Sequence, residues 1–396
     1  MPDPTTDRPK ARSGAPRDPR AGILVDREIR SLISEGQLRA ERPIEDDQLQ
    51  PASIDLRLGH CVHRVRCGFL ADDGPVTKKL EELTLYAFDI QNGGVLECGM
   101  IYLIPLLESL ELPAGLAARA NPKSTTGRLD LFTRLVTDRN PRFDDVPAGY
   151  SGRLYLEVSP RTFPIKVHAG DRLSQLRFAT GESALDGAEL RALYARQPLA
   201  FDAQGAPLSP SDLVFDADGS ITFRIGLRAP LGPDGRPRPI GYRAKAYGGV
   251  VDLAARRTIE PAPFFDPVYA PDGRVVIEPE KFYIFASRER VLVPPDHAAE
   301  MVAYDVGIGE LRTNYAGFFD NGFGAHSPDP ATGLLAGTPA ILEVRAHDVP
   351  FLIEDGQPVF RLRYFRTTAR PNVLYGECGS SYARQTLDLA KQFRRG

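Results

Sequence analysis

A set of apolar runs and their punctuation occurs twice in this chain at a fixed distance, and this repetition limits the fold more than any other feature. Ile101-Tyr102-Leu103-Ile104, followed by Leu112-Pro113 and Ala117-Ala118, is matched by Phe282-Tyr283-Ile284-Phe285, followed by Val293-Pro294 and Ala298-Ala299, at a constant offset of 181 residues. Further on, Leu156-Glu157-Val158 with Phe163-Pro164 and Gly170 is answered by Leu342-Glu343-Val344 with Val349-Pro350 and Gly356. Ser53-Ile54-Asp55-Leu56 resembles Val250-Val251-Asp252-Leu253. One domain has been duplicated. Between the copies, Ala203 to Ser220 and Pro230 to Pro239 are rich in Gly, Pro and Asp, which places the boundary between residues 200 and 240. We divide the chain into residues 21–205 and 206–396. Residues 1–20, full of Pro and charge and without an apolar stretch, are expected to be a disordered tail with no secretory signal.

The repeated unit reads as β. With 36 Gly and 35 Pro in 396 residues, a mainly helical fold is excluded. Strands are expected over Met100–Leu106, Arg153–Val158, Arg172–Phe178, Phe282–Ala286, Ala340–Arg345 and Val359–Phe365, the pattern of barrels or sandwiches. One helix is clear: Asp26 is expected to cap Arg27 to Ser34, with Ile29, Leu32 and Ile33 on one face and Gly36 ending it.

Charge and cysteine content narrow the function. No apolar run reaches membrane-spanning length. A net charge of −3 argues against a general nucleic-acid binder, which needs a basic face to neutralise many phosphates. Cys61, Cys67, Cys98 and Cys378 have no CxxC spacing, which fits a reducing cytoplasm. His60-Cys61-Val62-His63 with Cys67 is the one metal-like cluster, yet a strand would send His60 and Cys61 to opposite faces, and a half-buried strand is the plainer reading. The zinc deaminase signature, His-x-Glu followed by Pro-Cys-x-x-Cys, is absent, so no zinc is expected.

Two features carry chemistry. Lys123-Ser124-Thr125-Thr126-Gly127-Arg128 sets two cations around hydroxyls and a glycine, the outline of a polyphosphate cradle. At the repeat offset Ser124 falls opposite Asp305 and Arg128 opposite Gly309, so the second copy lacks the hydroxyl and the cation. Both copies keep a glutamate in an apolar strand, Glu157 and Glu343. Each is either on the exposed face of its strand or in a pocket that raises its pKa and lets it act as acid and base.

Together with Ile23 to Ile29, Gln50 to Gly59, Gly152 to Glu157 and Gly170 to Leu176, these motifs resemble the dCTP deaminases of the dUTPase-like superfamily, and the whole chain resembles their double-length bacterial form. The resemblance implies a mainly β fold of two tandem dUTPase-like (β-clip or jelly-roll) barrels with few short helices. It implies hydrolytic, zinc-independent deamination of dCTP to dUTP and ammonia, with a site that leaves no room for a 2′-hydroxyl. Lys123, Ser124, Thr125, Gly127 and Arg128 would hold the triphosphate, Mg²⁺ would be carried by the phosphates, Gln175 would be structural, and Glu157 or Glu343 would be the catalytic glutamate. Asn314 to Gly324 resembles the base-reading hairpin, with Ala316 available to hold a water and Asp320 as its aspartate, but Phe318 stands where the family has arginine. The first half keeps Arg142 and Asp144 in a longer hairpin. The shorter hairpin favours Glu343. Tyr375, Tyr382 and Gln385 resemble the tail that closes over the nucleotide, and Tyr194-Ala195-Arg196-Gln197 is a shorter echo. A homo-oligomer with sites at domain or subunit interfaces and dTTP feedback inhibition are further expectations. Alternatives are a dUTP diphosphatase, a bifunctional enzyme running from dCTP to dUMP, and a catalytically silent nucleotide-binding regulator.

Overall fold

The two halves show their common origin in how their strands pair. In the first, Ile101–Glu111 pairs with Ser151–Pro160, which also pairs with Leu131–Thr137, and Leu116–Pro122 pairs with Arg172–Thr180. In the second, Phe282–Val291 pairs with Thr338–Ala346, which also pairs with Leu311–Thr313, and His297–Ala303 pairs with Pro358–Arg366. All these pairings are antiparallel. This computed structural model describes residues 21–229, 231–232, 234–303, 311–313, 317–325, 337–346, 348–377, 382 and 385–395. Among the described residues the chain is mostly β with four short α-helices, Asp26–Ser34, Val76–Leu83, Ser124–Arg128 and Gly187–Arg196, and none is long and apolar enough to cross a membrane.

Three details differ from the sequence reading. The first helix begins at Asp26, and its N-terminal amide at Val25 is satisfied by Glu28 Oε2 at 2.9 Å. Asp26 instead accepts from the Asn372 amide at 3.0 Å, tying the helix to the far end of the chain. The partner of Ser53–Arg57 in the repeat is not Val250–Leu253. Ser53–Arg57 pairs with Arg172–Thr180, and the strand that pairs in the same way with Pro358–Arg366 is Ser220–Gly226. Val251–Asp252 joins Ile165–Val167 in parallel, bridging the halves, with Val251 buried opposite Ile165 and Asp252 pairing with Lys166 at 3.2 Å. Lastly, Gly187–Arg196, before the expected boundary at 205, sends Leu190, Leu193 and Tyr194 into the second core.

The halves share buried surface. The first core contains Ile54, Ile104 and Leu156 but also Phe264, Phe265, Phe282 and Ile341 of the second half. Phe163 packs edge-on against Phe264 and Phe265 at centroid distances of 5.6 and 5.4 Å, and Phe393 near the C-terminus meets both phenylalanines at 5.3 Å. That shared core holds the halves in one register. A cleft beside it joins their functional segments.

Candidate active site

The cradle segment starts as a strand and ends as a single helical turn. Leu116–Pro122 pairs along Arg172–Thr180, and the chain then turns into Ser124–Arg128, anchored when the Lys123 amide and the Thr126 hydroxyl donate to the Leu173 carbonyl at 2.9 and 2.7 Å. Ser124 is left exposed while Thr125, Gly127 and Arg128 are buried. The Lys123 ammonium pairs with Asp55, whose carboxyl is pushed up by burial against the pull of Lys123. All six residues of the segment face a cavity of about 640 Å³, ample for a nucleotide.

Glu343 lines the same cavity from the second half. Its register position, opposite Ile284, is the counterpart of Glu157 opposite Leu103, so the two glutamates are structural equivalents. Their surroundings are not equivalent. Glu343 has Arg128 Nε at 4.0 Å from its Oε1. Burial pushes its carboxyl up to about 8, outweighing the Arg128 charge. Glu157 is also buried, but Arg134, directly across the ladder, donates Nε to it at 2.9 Å and adds a second bond from its terminal nitrogen. Phe143 stacks on that guanidinium at 3.8 Å. A Cβ on Gly68 would sit 2.6 Å from Glu157 Oε2, so the backbone at 68 closes over the carboxylate. Glu157 is not among the residues lining the cavity.

The second half supplies an apolar wall of Met301, Phe318, Phe319, Phe323, Ile341 and Tyr375. Asp320 lines the cavity too, with one oxygen taken by Arg177 at 2.8 Å and the other by Ser53 at 3.3 Å. Ala316 lies outside the described residues. Tyr382 donates or accepts at 2.8 Å with Thr125, and its ring lies 3.9 Å from the Arg128 guanidinium. Gln385 accepts from Arg128, and the Asp388 carbonyl accepts from it at 3.0 Å. The tail therefore closes on the cradle, and Arg128 links it to Glu343. Arg142 and Asp144 are placed elsewhere: Arg142 is exposed and pairs with Asp145 at 2.7 Å, while Asp144 is half-buried, accepts from the Leu135 amide at 2.7 Å and is raised to about 7 by desolvation. Tyr194 of the echo is a core residue donating to the Leu208 carbonyl at 2.8 Å.

Sequence reasoning missed Arg172, Arg256 and Lys391, three cations that line the cavity from loops and strand ends far apart in the chain. Burial, with Arg256 and Lys123 nearby, pushes Lys391 down to about 8, although Asp55 and Asp171 pull the other way. No spacing rule brings residue 391 beside residue 123. Lys391 lies just beyond the tail motif, and its amide donates to the Tyr382 hydroxyl at 3.0 Å.

Cations and hydroxyls from one half thus share a cavity with a buried, proton-holding carboxyl from the other, the layout of a nucleotide-processing site between β domains. Residues 20–182 match the family model described as the 2'-deoxycytidine 5'-triphosphate deaminase (DCD) N-terminal domain, and residues 205–393 match that of its C-terminal domain. The chain is 35% identical over 157 residues to a dCTP deaminase, dUMP-forming, of Mycobacterium avium, covering 39% of this chain and 78% of the relative. It is 32% identical over 165 residues to the protein of that name from Sulfurihydrogenibium sp., covering 40% and 84%. The crystal structure of 2'-deoxycytidine 5'-triphosphate deaminase from Agrobacterium tumefaciens is similar with a TM-score of 0.78 and 43% identity, over 89% of this chain and 99% of that one. The chain belongs to the dCTP deaminase family, with that family's N- and C-terminal domains in tandem.

Proposed function

We propose that this cavity deaminates dCTP with Glu343 as the acid and base. The observation that carries the reading is the meeting, in one cavity, of the Lys123–Arg128 segment with a buried carboxyl raised to about 8. At neutral pH Glu343 holds its proton. It donates that proton to N3 of cytosine, and the resulting carboxylate takes a proton from water as the oxygen attacks C4. The tetrahedral carbon then expels the amine, which takes the Glu343 proton and leaves as ammonia, while the hydroxyl at C4 returns its proton to the Glu343 carboxylate and becomes the carbonyl of uracil, so that Glu343 ends protonated as it began. Arg128, 4.0 Å from Glu343, stabilises the carboxylate stage.

Lys123, Ser124, Thr125, Gly127, Arg172, Arg256 and Lys391 bind the triphosphate, and Mg²⁺ enters on the phosphates. Arg128 reaches the phosphates only by letting go of the tail. Since the cradle, the glutamate and the tail all come from one chain, each chain binds one nucleotide. Light scattering tests assembly into homo-oligomers, and competition by dTTP tests feedback inhibition.

The names of the curated relatives, dUMP-forming, favour a second reading in which dUTP is held and hydrolysed to dUMP and pyrophosphate at the same site. Incubation of the protein with dCTP and Mg²⁺, followed by chromatography and an ammonia assay, tests both. Ammonia with dUTP supports the first reading. Ammonia with dUMP and pyrophosphate supports the second. Binding without ammonia release contradicts both and leaves a nucleotide-binding regulator.

A further inference from the structure

Arg177 belongs to the first half, on the Arg172–Thr180 strand, yet its guanidinium serves the second. It donates to Asp320 Oδ1 at 2.8 Å and to the Ala299 carbonyl at 3.1 Å, and it lies 3.9 Å from the centroid of the Phe318 ring. The Arg177 and Asp320 side chains are only 3% and 6% exposed, so water hardly screens the pair. Phe318, Phe319 and Asp320 line the cavity, whereas Arg177 does not. Arg177 Nε is buried without a protein hydrogen-bond partner. Stability is a poor explanation for such a group, because well-packed apolar residues commonly replace a buried ion pair at little loss.

We infer that Arg177 is a positioning residue for base recognition: delivered from the opposite half, it fixes the hairpin around Phe318 and Asp320 that meets the cytosine ring. The hairpin carries phenylalanine at 318 where the resemblance leads one to expect arginine, and the Arg177 guanidinium carbon lies over that ring, 3.9 Å from its centroid. A cation over Phe318 sets the ring plane, and donors on both Asp320 oxygens, from Arg177 and Ser53, fix the carboxylate. The base end of the site is therefore held by first-half residues although its walls belong to the second half. Duplication allows this, since unlike halves can divide a task that identical subunits must each carry.

The inference rests on the deaminase reading for the identity of the base, and its test separates the two. Equilibrium affinities for dCTP and for inorganic tripolyphosphate are measured on wild type, Arg177→Met and Arg177→Lys. The methionine variant is expected to weaken dCTP at least about tenfold while tripolyphosphate, which meets only the cradle, changes less than about twofold; lysine is expected to restore part of the loss. If Arg177→Met does not fold, Asp320→Asn should give the same split at smaller size. Equal changes in both affinities, or no change in either, would overturn the inference, as would a wild type that holds dCTP no more tightly than tripolyphosphate. A wild type that binds dCTP selectively but releases no ammonia sinks the deaminase reading and leaves the Arg177 split to be read on its own.

Discussion

Glu157 and Glu343 descend from one ancestral position and occupy equivalent places on equivalent strands, yet one is a closed ion pair and the other an open acid. Arg134 faces Glu157 across the ladder, Phe143 covers the guanidinium, and the chain at Gly68 seals the carboxylate. Around Glu343, among the described residues, the cation within reach is Arg128 at 4.0 Å, and burial keeps the carboxyl protonated up to about pH 8. The same residue type in the same strand thus has two different surroundings, set by what stands opposite. A carboxylate held by two charge-assisted bonds is tied to its partner. One buried in a cavity wall with a cation just out of hydrogen-bond range can gain and lose a proton near neutrality.

The largest expected effect tests that contrast directly. Glu343→Gln should lower kcat for dCTP by about 10³-fold or more, because it removes acid and base together. Glu157→Gln should keep kcat within about threefold but cost roughly 2–3 kcal/mol of stability, since it leaves Arg134 partly buried against a neutral partner. Steady-state kinetics and denaturant unfolding read the two. Comparable losses of turnover in both would erase the distinction between the halves.

The next effect concerns stability against pH. A carboxyl raised in the fold from an ordinary value of 4.5 to about 8 stays protonated while the unfolded chain ionises. The folded state therefore binds more protons in that window, and stability falls as pH rises from about 4.5 to about 8. Glu343→Gln removes this loss and should gain on the order of 4 kcal/mol over wild type by pH 8 while gaining little at pH 4. A stability difference that does not change with pH would mean that Glu343 is not held protonated.

A smaller effect is expected at Lys391. Because it is held down to about 8, tripolyphosphate binding to Glu343→Gln, which removes the other group titrating there, should weaken as pH rises through 8. The change should approach tenfold by about pH 9, as one cation is lost. Adding Lys391→Gln should flatten that limb; an unchanged limb would place Lys391 outside the phosphate site. Smallest is Gly68→Ala, expected to cost about 1–2 kcal/mol by pressing on Glu157 while leaving kcat unchanged.

Much of this molecule was legible in the sequence, for identifiable reasons. Short apolar runs followed by Leu-Pro or Val-Pro mark strands whose pairing the duplication then repeats, and Lys123 to Arg128 stands out because its charges and hydroxyls follow no structural period. What escaped depends on partners far away in sequence. Arg134 neutralises Glu157 only because the ladder sets residue 134 against 157, and such a register is not written in either strand. Arg177 meets Asp320 and Lys391 meets Lys123 through the packing of the halves. The hairpin residues Arg142 and Asp144 kept their identity but not their place, because the longer loop carries Arg142 out to solvent beside Asp145 and sets Asp144, half-buried, to accept from the Leu135 amide. The match of Val250–Leu253 to Ser53–Leu56 failed because a likeness of four residues, an apolar residue followed by Asp-Leu, specifies no particular neighbour.

The central claim is that the duplicated chain holds one site, built from the phosphate segment of the first half and the glutamate of the second. Calorimetric titration of Glu343→Gln with dCTP and Mg²⁺ tests it most directly, since turnover is suppressed while the binding groups stay in place. One nucleotide bound per chain is the expected result. Two equivalent nucleotides per chain would mean that the half containing Glu157 also forms a working site, and would contradict it.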